Sequence, residues 1–300
     1  MYDIIIIGAG PAGLTAALYA LRCGKKVLIL EGETFGGQIT LTPMVENYPA
    51  TGNISGIEFA DKLIEQVTDL GGEIELGTVT EIVDGETKTV ITEDDRYEAK
   101  AVIIAAGVKH RTLGLPNEEE LIGSGVSYCA VCDGAFYKDK IVSVVGGGST
   151  ALTDALYLAG MCKKVYLIHR RDTFRGEDAL VKKVKEKENI ELILNSEVAA
   201  LNGGNILTSI DIVNKNGEKS TVEADGLFIM IGQKASNDIF ANVVELDEYG
   251  FIVTDLSCKT KTKGIFAAGD CRVKEVRQLT TATADGTIAA LAACEYVDEK

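Results

Sequence analysis

Residues 4–7 are four consecutive isoleucines, and the chain stays free of charge from there to Leu21. A continuous apolar, β-branched run suits a parallel strand buried on both faces. Gly8, Gly10, Pro11 and Gly13 then break the run. The pattern predicts a strand over residues 3–7, a glycine turn, and a helix over residues 11–23. A second apolar run predicts a strand over residues 27–31 that ends on Glu31. Eighteen uncharged residues (4–21) also raise a membrane span or a leader. The glycines and the proline interrupt the stretch, no basic residue precedes it and no small-residue cleavage site follows, so no membrane segment is expected.

The same pattern recurs. Residues 2–31 and 140–169 align without a gap at a constant offset of 138 residues. Gly8 falls on Gly146, Gly10 on Gly148 and Gly13 on Ala151, while Lys25-Lys26-Val27 falls on Lys163-Lys164-Val165. A single G-x-G-x-x-G is weak, but each copy follows an apolar strand, opens a helix (Pro11 and Ala12; Ser149 and Thr150) and leads to a second strand. Its first glycine makes the tight turn, its second admits a pyrophosphate against the backbone, and its third position needs a small residue for helix–strand packing. Phosphate then lies on the unpaired N–H groups of the helix N-terminus. The alternative is a pair of glycine turns with no ligand.

The copies differ where their second strands end. Glu31 offers a carboxylate to ribose hydroxyls, which suits FAD or NAD. The second copy has His169 there, followed by Arg170, Arg171 and Arg175. Guanidinium forks pair bidentately with a ribose 2′-phosphate, which favours NADP(H); the alternative is a solvated basic patch.

Composition narrows the classes further. With 300 residues, about twice a typical domain, two domains are expected. Hydrophobic residues at 46% and charged residues at 25% are those of a folded globular protein, and a net charge of −15 argues against a broad nucleic-acid or anionic-membrane surface. Seven cysteines scattered through the chain do not form a disulfide framework and point to a reducing, cytoplasmic compartment. Two of them form Cys129-Ala130-Val131-Cys132, followed by Asp133. A C-x-x-C is a redox pair or half of a zinc site, or it is inert. Without a second C-x-x-C, and with only His110 and His169, local spacing assembles no tetrahedral ligand set, so the redox pair is favoured and no metal is expected. Asp133 suits the transfer of a proton to or from a leaving thiolate, or the capping of a helix. Cys23 and Cys162 end equivalent helices and are expected as small buried hydrophobes. Cys258 and Cys294 have no partner by spacing, and Cys271 follows a motif aspartate.

Taken together, Gly8 to Gly13, Cys129 to Gly134, Gly146 to Ala151, His169 to Arg175 and Gly264-Ile265-Phe266-Ala267-Ala268-Gly269-Asp270 resemble the low-molecular-weight thioredoxin reductases over essentially the full length. The resemblance implies an α/β protein of two Rossmann-like nucleotide-binding domains, the second inserted into the first. The FAD domain would be discontinuous, residues 1–113 and 243–300, with an NADPH domain carrying the redox pair at 114–242. Turn-rich stretches at Gly114-Leu115-Pro116-Asn117 and Gly232-Gln233-Lys234-Ala235-Ser236 agree with such crossings. By the same resemblance Gly36, Gly37, Gln38, Asn47 and Gly107 contact the flavin, Gly269 and Asp270 the ribityl chain, and Arg277, Gln278 and Leu279 place a helix N-terminus at the isoalloxazine. Cys132 faces the flavin, Cys129 attacks the protein disulfide and Asp133 is the acid. The expected activity is NADPH-dependent thioredoxin-disulfide reduction in a homodimer. A flavin face stacks against either nicotinamide or disulfide, both carried by the inserted domain, so a domain rotation between half-reactions is expected as well.

Some positions depart from the pattern. Thr153 stands where relatives commonly carry glutamate, and Gln233-Lys234 replaces a His-Ser. Ferredoxin-dependent relatives of the same fold lack the basic cluster that this chain keeps. A flavin-dependent dithiol oxidase is a further alternative.

Overall fold

A computed structural model describes all 300 residues. Along the chain, β1 (Tyr2–Ile7), α1 (Pro11–Arg22), β2 (Val27–Glu31), α2 (Gly56–Asp69), β3 (Glu73–Leu76), β4 (Val79–Val83), β5 (Lys88–Thr92) and β6 (Arg96–Ile104) come first, before a short strand β7 (Lys109–His110). There follow β8 (Val126–Ser127), α3 (Ala130–Asp133), β9 (Ile141–Val145), α4 (Ser149–Ala159), β10 (Lys164–His169), α5 (Asp178–Glu186) and β11 (Ile190–Leu194). Then come β12 (Ser196–Gly203), β13 (Leu207–Asn214), β14 (Lys219–Glu223), β15 (Gly226–Ile229), β16 (Gln233–Lys234), β17 (Ile265–Ala267) and α6 (Leu279–Asp298).

The chain divides into two compact units, residues 1–109 with 234–300, and residues 110–233. Expected crossings at 113/114 and 242/243 lie four and nine residues farther along, and buried polar groups account for the difference. Glu118, 2% exposed, accepts the N–H groups of Leu113 and Leu115 and the hydroxyl of Tyr128, which fastens residues 113–118 into the inserted unit. Asn237, fully buried, donates to the carbonyls of Gly250 and Cys271, and Phe240, Val243 and Val244 enter the core of the first unit.

In the first unit β3, β2, β1 and β6 lie side by side and parallel, with β17 parallel to the far half of β6 and the β4–β5 hairpin antiparallel on its near half. Ile4 and Ile6 enter the core beneath α1 and α6, while Ile5 and Ile7 enter the core on the opposite face. Burial of both faces is why β1 reads as an unbroken apolar run.

The inserted unit repeats this order. Its five-stranded parallel sheet runs β11-β10-β9-β15-β8. Val142 and Val144 of β9 pack under α4, and Val145 packs against the three-stranded antiparallel sheet β12-β13-β14. In both units the glycine turn therefore follows the strand at which the strand order reverses, the usual place for a nucleotide in such sheets. No helix is long and apolar enough to cross a membrane.

Candidate active site

The two glycine turns are built by close approach. Gly8 has φ +105°, and a Cβ there would lie 2.4 Å from the Ala105 carbonyl oxygen; at Gly13 a Cβ would lie 1.9 Å from the oxygen of Gly8. In the second turn a Cβ at Gly146 would meet Met230 O at 2.4 Å, yet Ala151 fits at the third position, fully buried. The middle glycines differ from these. A Cβ at Gly10 would come no closer than 3.9 Å to any neighbour, and one at Gly148 would meet nothing within 4 Å. Each therefore leaves room in front of a helix N-terminus. Neither α1 nor α4 has a side-chain cap, whereas Ser55 caps α2 by accepting the Glu58 N–H. Uncapped first-turn amides are what a pyrophosphate requires.

Glu31, Gly36 and Gly37 collect around the first turn, and the other expected residues make contacts elsewhere in the same unit. Glu31 accepts the Ala9 N–H at 2.7 Å and the Glu33 N–H at 2.9 Å, so its carboxylate is fixed beside the turn with lone pairs to spare. Gly36 donates to Ala9 O at 2.9 Å, and a Cβ at Gly37 would come 3.1 Å from Gly10 Cα. Gln38 donates to the Val108 carbonyl, and Gly107, with φ +63°, has open space where a Cβ would lie. Asn47 donates to Gln278 Oε1 at 3.3 Å. Gln278 caps α6 in a reciprocal box with Thr281, and Leu279 packs with Val45, Ile54 and Phe59. Arg277 spends its guanidinium on the carbonyls of Asp270 and Arg272 and stacks over Phe251, so it braces this loop.

Asp270 is the strongest sign of a ligand. Its Oδ1 is buried with no hydrogen-bond partner, and burial raises its carboxyl above the usual range. A buried acceptor left unpaired by the protein suits a hydroxyl-bearing chain. The residues present fit a flavin dinucleotide here on this count and on the open, uncapped turn.

Asp285 was not legible as a site residue, although it is the lone charge in residues 279–294. From α6 it accepts the Gly269 N–H at 3.1 Å, Arg272 Nη1 at 3.0 Å and Lys274 Nζ at 2.8 Å. It thereby fixes the loop that presents Asp270.

In the inserted unit the loop after β10 lies across the second turn. Arg175 N–H donates to Gly147 O at 2.7 Å, the Ser149 hydroxyl accepts the Glu177 N–H at 3.2 Å, and a Cβ at Gly176 would strike Leu152 and Ser149. His169 is buried behind the turn; a Cβ on Gly147 would touch its ring at 2.1 Å. Its Nε2 pairs with Thr173 O and its ring stacks on Phe174. Burial lowers its pKa, which favours a neutral supporting wall. Arg170, Arg171 and Arg175 are exposed, and none forms an ion pair in the protein.

Cys129 and Cys132 are joined in a disulfide. Cys129 stands just before α3, and its sulfur accepts the Cys132 N–H at 3.1 Å. A donor held there favours negative charge on Cys129 when the bond opens. Ser127, which sequence reasoning passed over, accepts the Cys129 N–H at 3.1 Å and donates to Asp133 Oδ2 at 2.6 Å. Burial raises the Asp133 carboxyl above the usual range, while the serine bond pulls it back. Ser127→Ala is therefore expected to raise the Asp133 pKa further. If Asp133 acts in its protonated form, the alkaline limb of the pH profile for disulfide turnover moves upward; a stopped-flow profile in which the limb is unmoved or moves downward contradicts this.

One other cysteine corrects the sequence expectation. Cys162 is buried, its thiol pushed up to about 11 by burial, but Cys23 is exposed. Cys294, which has no partner by spacing, is buried near the end of α6, and burial raises its thiol above the usual range.

The chain belongs to the family described as pyridine nucleotide-disulphide oxidoreductase, whose profile matches residues 2–286. Within it, the thioredoxin reductase of Listeria innocua serovar 6a is 44% identical over 302 residues, covering 100% of this chain and 95% of its own. That of Bacillus subtilis strain 168 is also 44% identical, over 305 residues, covering 100% and 96%. The solved thioredoxin reductase from Streptococcus pyogenes MGAS5005 superposes with a TM-score of 0.97 at 42% identity, covering 100% of this chain and 99% of its own.

Proposed function

We propose that the protein is an NADPH-dependent flavoprotein that reduces the disulfide of thioredoxin through Cys129 and Cys132. The observation that carries this reading is the Cys129–Cys132 disulfide, with Ser127 and Asp133 bonded around it, in the unit that also bears the second glycine turn and its arginines. Gly8, Gly10, Pro11, Ala12 and Gly13 would hold the FAD pyrophosphate on α1, Glu31 its adenosine ribose and Asp270 its ribityl hydroxyls. Gly36, Gly37, Gln38, Asn47, Gly107, Gly269 and the turn Arg277-Gln278-Leu279 would complete that site. Bound FAD supplies a two-electron relay between a nicotinamide and a disulfide. Gly146, Gly148, Ser149, Thr150 and Ala151 would receive the NADPH pyrophosphate, with His169 behind the turn and Arg170, Arg171 and Arg175 around the 2′-phosphate.

The chain's own chemistry is thiol–disulfide exchange. Once the pair is reduced, Asp133 gives a proton to the thioredoxin sulfur that departs as Cys129 attacks. Cys129, stabilised as a thiolate by the Cys132 amide, attacks a thioredoxin sulfur. Cys132 then attacks Cys129 in the mixed disulfide, releasing reduced thioredoxin. This cycle requires the inserted unit to turn between half-reactions. The homodimer and the reducing, cytoplasmic setting are part of the same proposal.

The three arginines favour NADPH over a ferredoxin donor. Replacing Arg171 and Arg175 together by Ala is expected to lower the NADPH-over-NADH preference on the order of a hundredfold or more, at about 1.5–3 kcal/mol per charge-assisted bond. The ratio of kcat/KM values for the two nucleotides measures it; an unchanged ratio removes the arginines from recognition. The whole reading is tested by steady-state thioredoxin reduction with NADPH, NADH or reduced ferredoxin as donor. Turnover is expected with NADPH first, and turnover only with ferredoxin, or only oxygen consumption with a small dithiol, contradicts it.

A further inference from the structure

Helices α1 and α6 pack so closely that a Cβ on Gly286 would lie 2.2 Å from the carbonyl oxygen of Ala12 and 3.1 Å from the nitrogen of Ala16. Small residues, Ala16, Ala17 and Ala20 on one helix and Ala289, Ala290 and Ala293 on the other, share that core and allow the approach. At the far end Lys25, just past α1, forms an ion pair with Asp298, the last residue of α6. The helices therefore run in the same direction between two fixed points. Cys294 lies one turn before Asp298, and Cys23 is the C-terminal cap of α1. This register places Cys23 and Cys294 as neighbours at the same end of the packed pair, near Lys25. They are far apart in sequence and belong to the unit that does not hold Cys129 and Cys132.

We propose that Cys23 and Cys294 are a second redox dithiol, closed by hydroperoxide into a disulfide that ties the end of α1 to α6. The two sulfurs have unequal parts. Cys23 is exposed and meets the oxidant first, whereas Cys294 is 5% exposed. Burial, and then the neighbouring Cys23, raise the Cys294 thiol above its ordinary range, so Cys23 is the sulfur oxidised first. In the first step the Cys23 sulfur takes one oxygen of hydrogen peroxide, the O–O bond breaks, one water leaves and Cys23 becomes a sulfenic acid. In the second step Cys294 attacks that sulfur, the S–O bond breaks, and the hydroxyl leaves as water with the thiol proton. One peroxide and two thiols thus give one disulfide and two waters. An exposed thiol with no partner continues to the irreversible sulfinic acid; the buried neighbour intercepts it at a stage that a dithiol reverses by exchange.

The test uses the full-length, flavin-loaded protein. It is treated with hydrogen peroxide, denatured in an alkylating agent, digested without reduction and analysed by mass spectrometry. The expected product is the Cys23 peptide linked to the Cys294 peptide, lost on treatment with dithiothreitol. In Cys294→Ala the Cys23 peptide is expected as sulfinic acid, and in Cys23→Ser the Cys294 peptide is expected in its alkylated, thiol-derived form. Both unoxidised variants should turn over thioredoxin as the parent does. Recovery of unlinked Cys23 and Cys294 from the parent, or Cys23 sulfinic acid forming as fast in the parent as in Cys294→Ala, overturns the proposal.

Discussion

Cys132→Ser is expected to lower NADPH-dependent thioredoxin reduction on the order of 10³-fold or more, because a group without which the chemistry has no route is removed. The loss should be confined to one half of the cycle. No internal disulfide can form, so electrons accepted from NADPH have no sulfur acceptor. Cys129 keeps its thiol, and its attack on oxidised thioredoxin now ends in a mixed disulfide that nothing resolves. Flavin bleaching by NADPH should proceed at the parent rate, since the second glycine turn and its arginines are untouched. A covalent adduct with thioredoxin, linked only through Cys129, should accumulate and be visible on non-reducing gels. Retained turnover would remove the pair from the mechanism, and loss of bleaching would place Cys132 in nucleotide use instead.

The second large effect concerns Asp285. Its carboxylate is paired with two cations that are themselves nearly buried, side chains 11% and 12% exposed, and it also holds the Gly269 amide. Removing one member of such a set leaves uncompensated buried charge, about 3–5 kcal/mol. Asp285→Asn is isosteric and keeps an acceptor for Gly269, so the change falls on charge rather than shape. The loop presenting Asp270 should loosen, and flavin should be released at a temperature well below that of the parent, ahead of global unfolding. Flavin fluorescence followed beside far-ultraviolet circular dichroism on one heating ramp separates the two events. Coincident transitions would make Asp285 a general stabiliser, and an unshifted release temperature would remove it from the flavin site. Asp285→Glu, which restores the charge, should recover part of the loss.

The repeated strand–turn–helix units were legible because their signals are local. Four isoleucines, three small residues at fixed spacing and an acidic or basic strand end each report on a short piece of backbone. The five residues of β2 end at Glu31 as the pattern predicts, and α1 ends one residue short of the expected helix, at Arg22. The unit boundaries were less legible. They depend on Glu118 and Asn237, polar residues whose burial follows from what the folded chain lays over them. Arg277 reads in sequence as the opening of a helix, yet the structure uses it to brace backbone carbonyls. Ser127 carries a weak signal, a hydroxyl two residues before Cys129. The Cys23–Cys294 juxtaposition carries none, because only the parallel packing of α1 and α6 brings its ends together.

The central claim is that electrons from NADPH leave this protein through Cys129 and Cys132. The most direct measurement adds one equivalent of NADPH to the oxidised protein without oxygen, quenches it with an alkylating agent after several intervals, and follows those two cysteines by mass spectrometry. The account predicts that both become alkylated as the nicotinamide is consumed, and that adding oxidised thioredoxin before the quench restores their bond. Full consumption of NADPH with that bond still closed would contradict it.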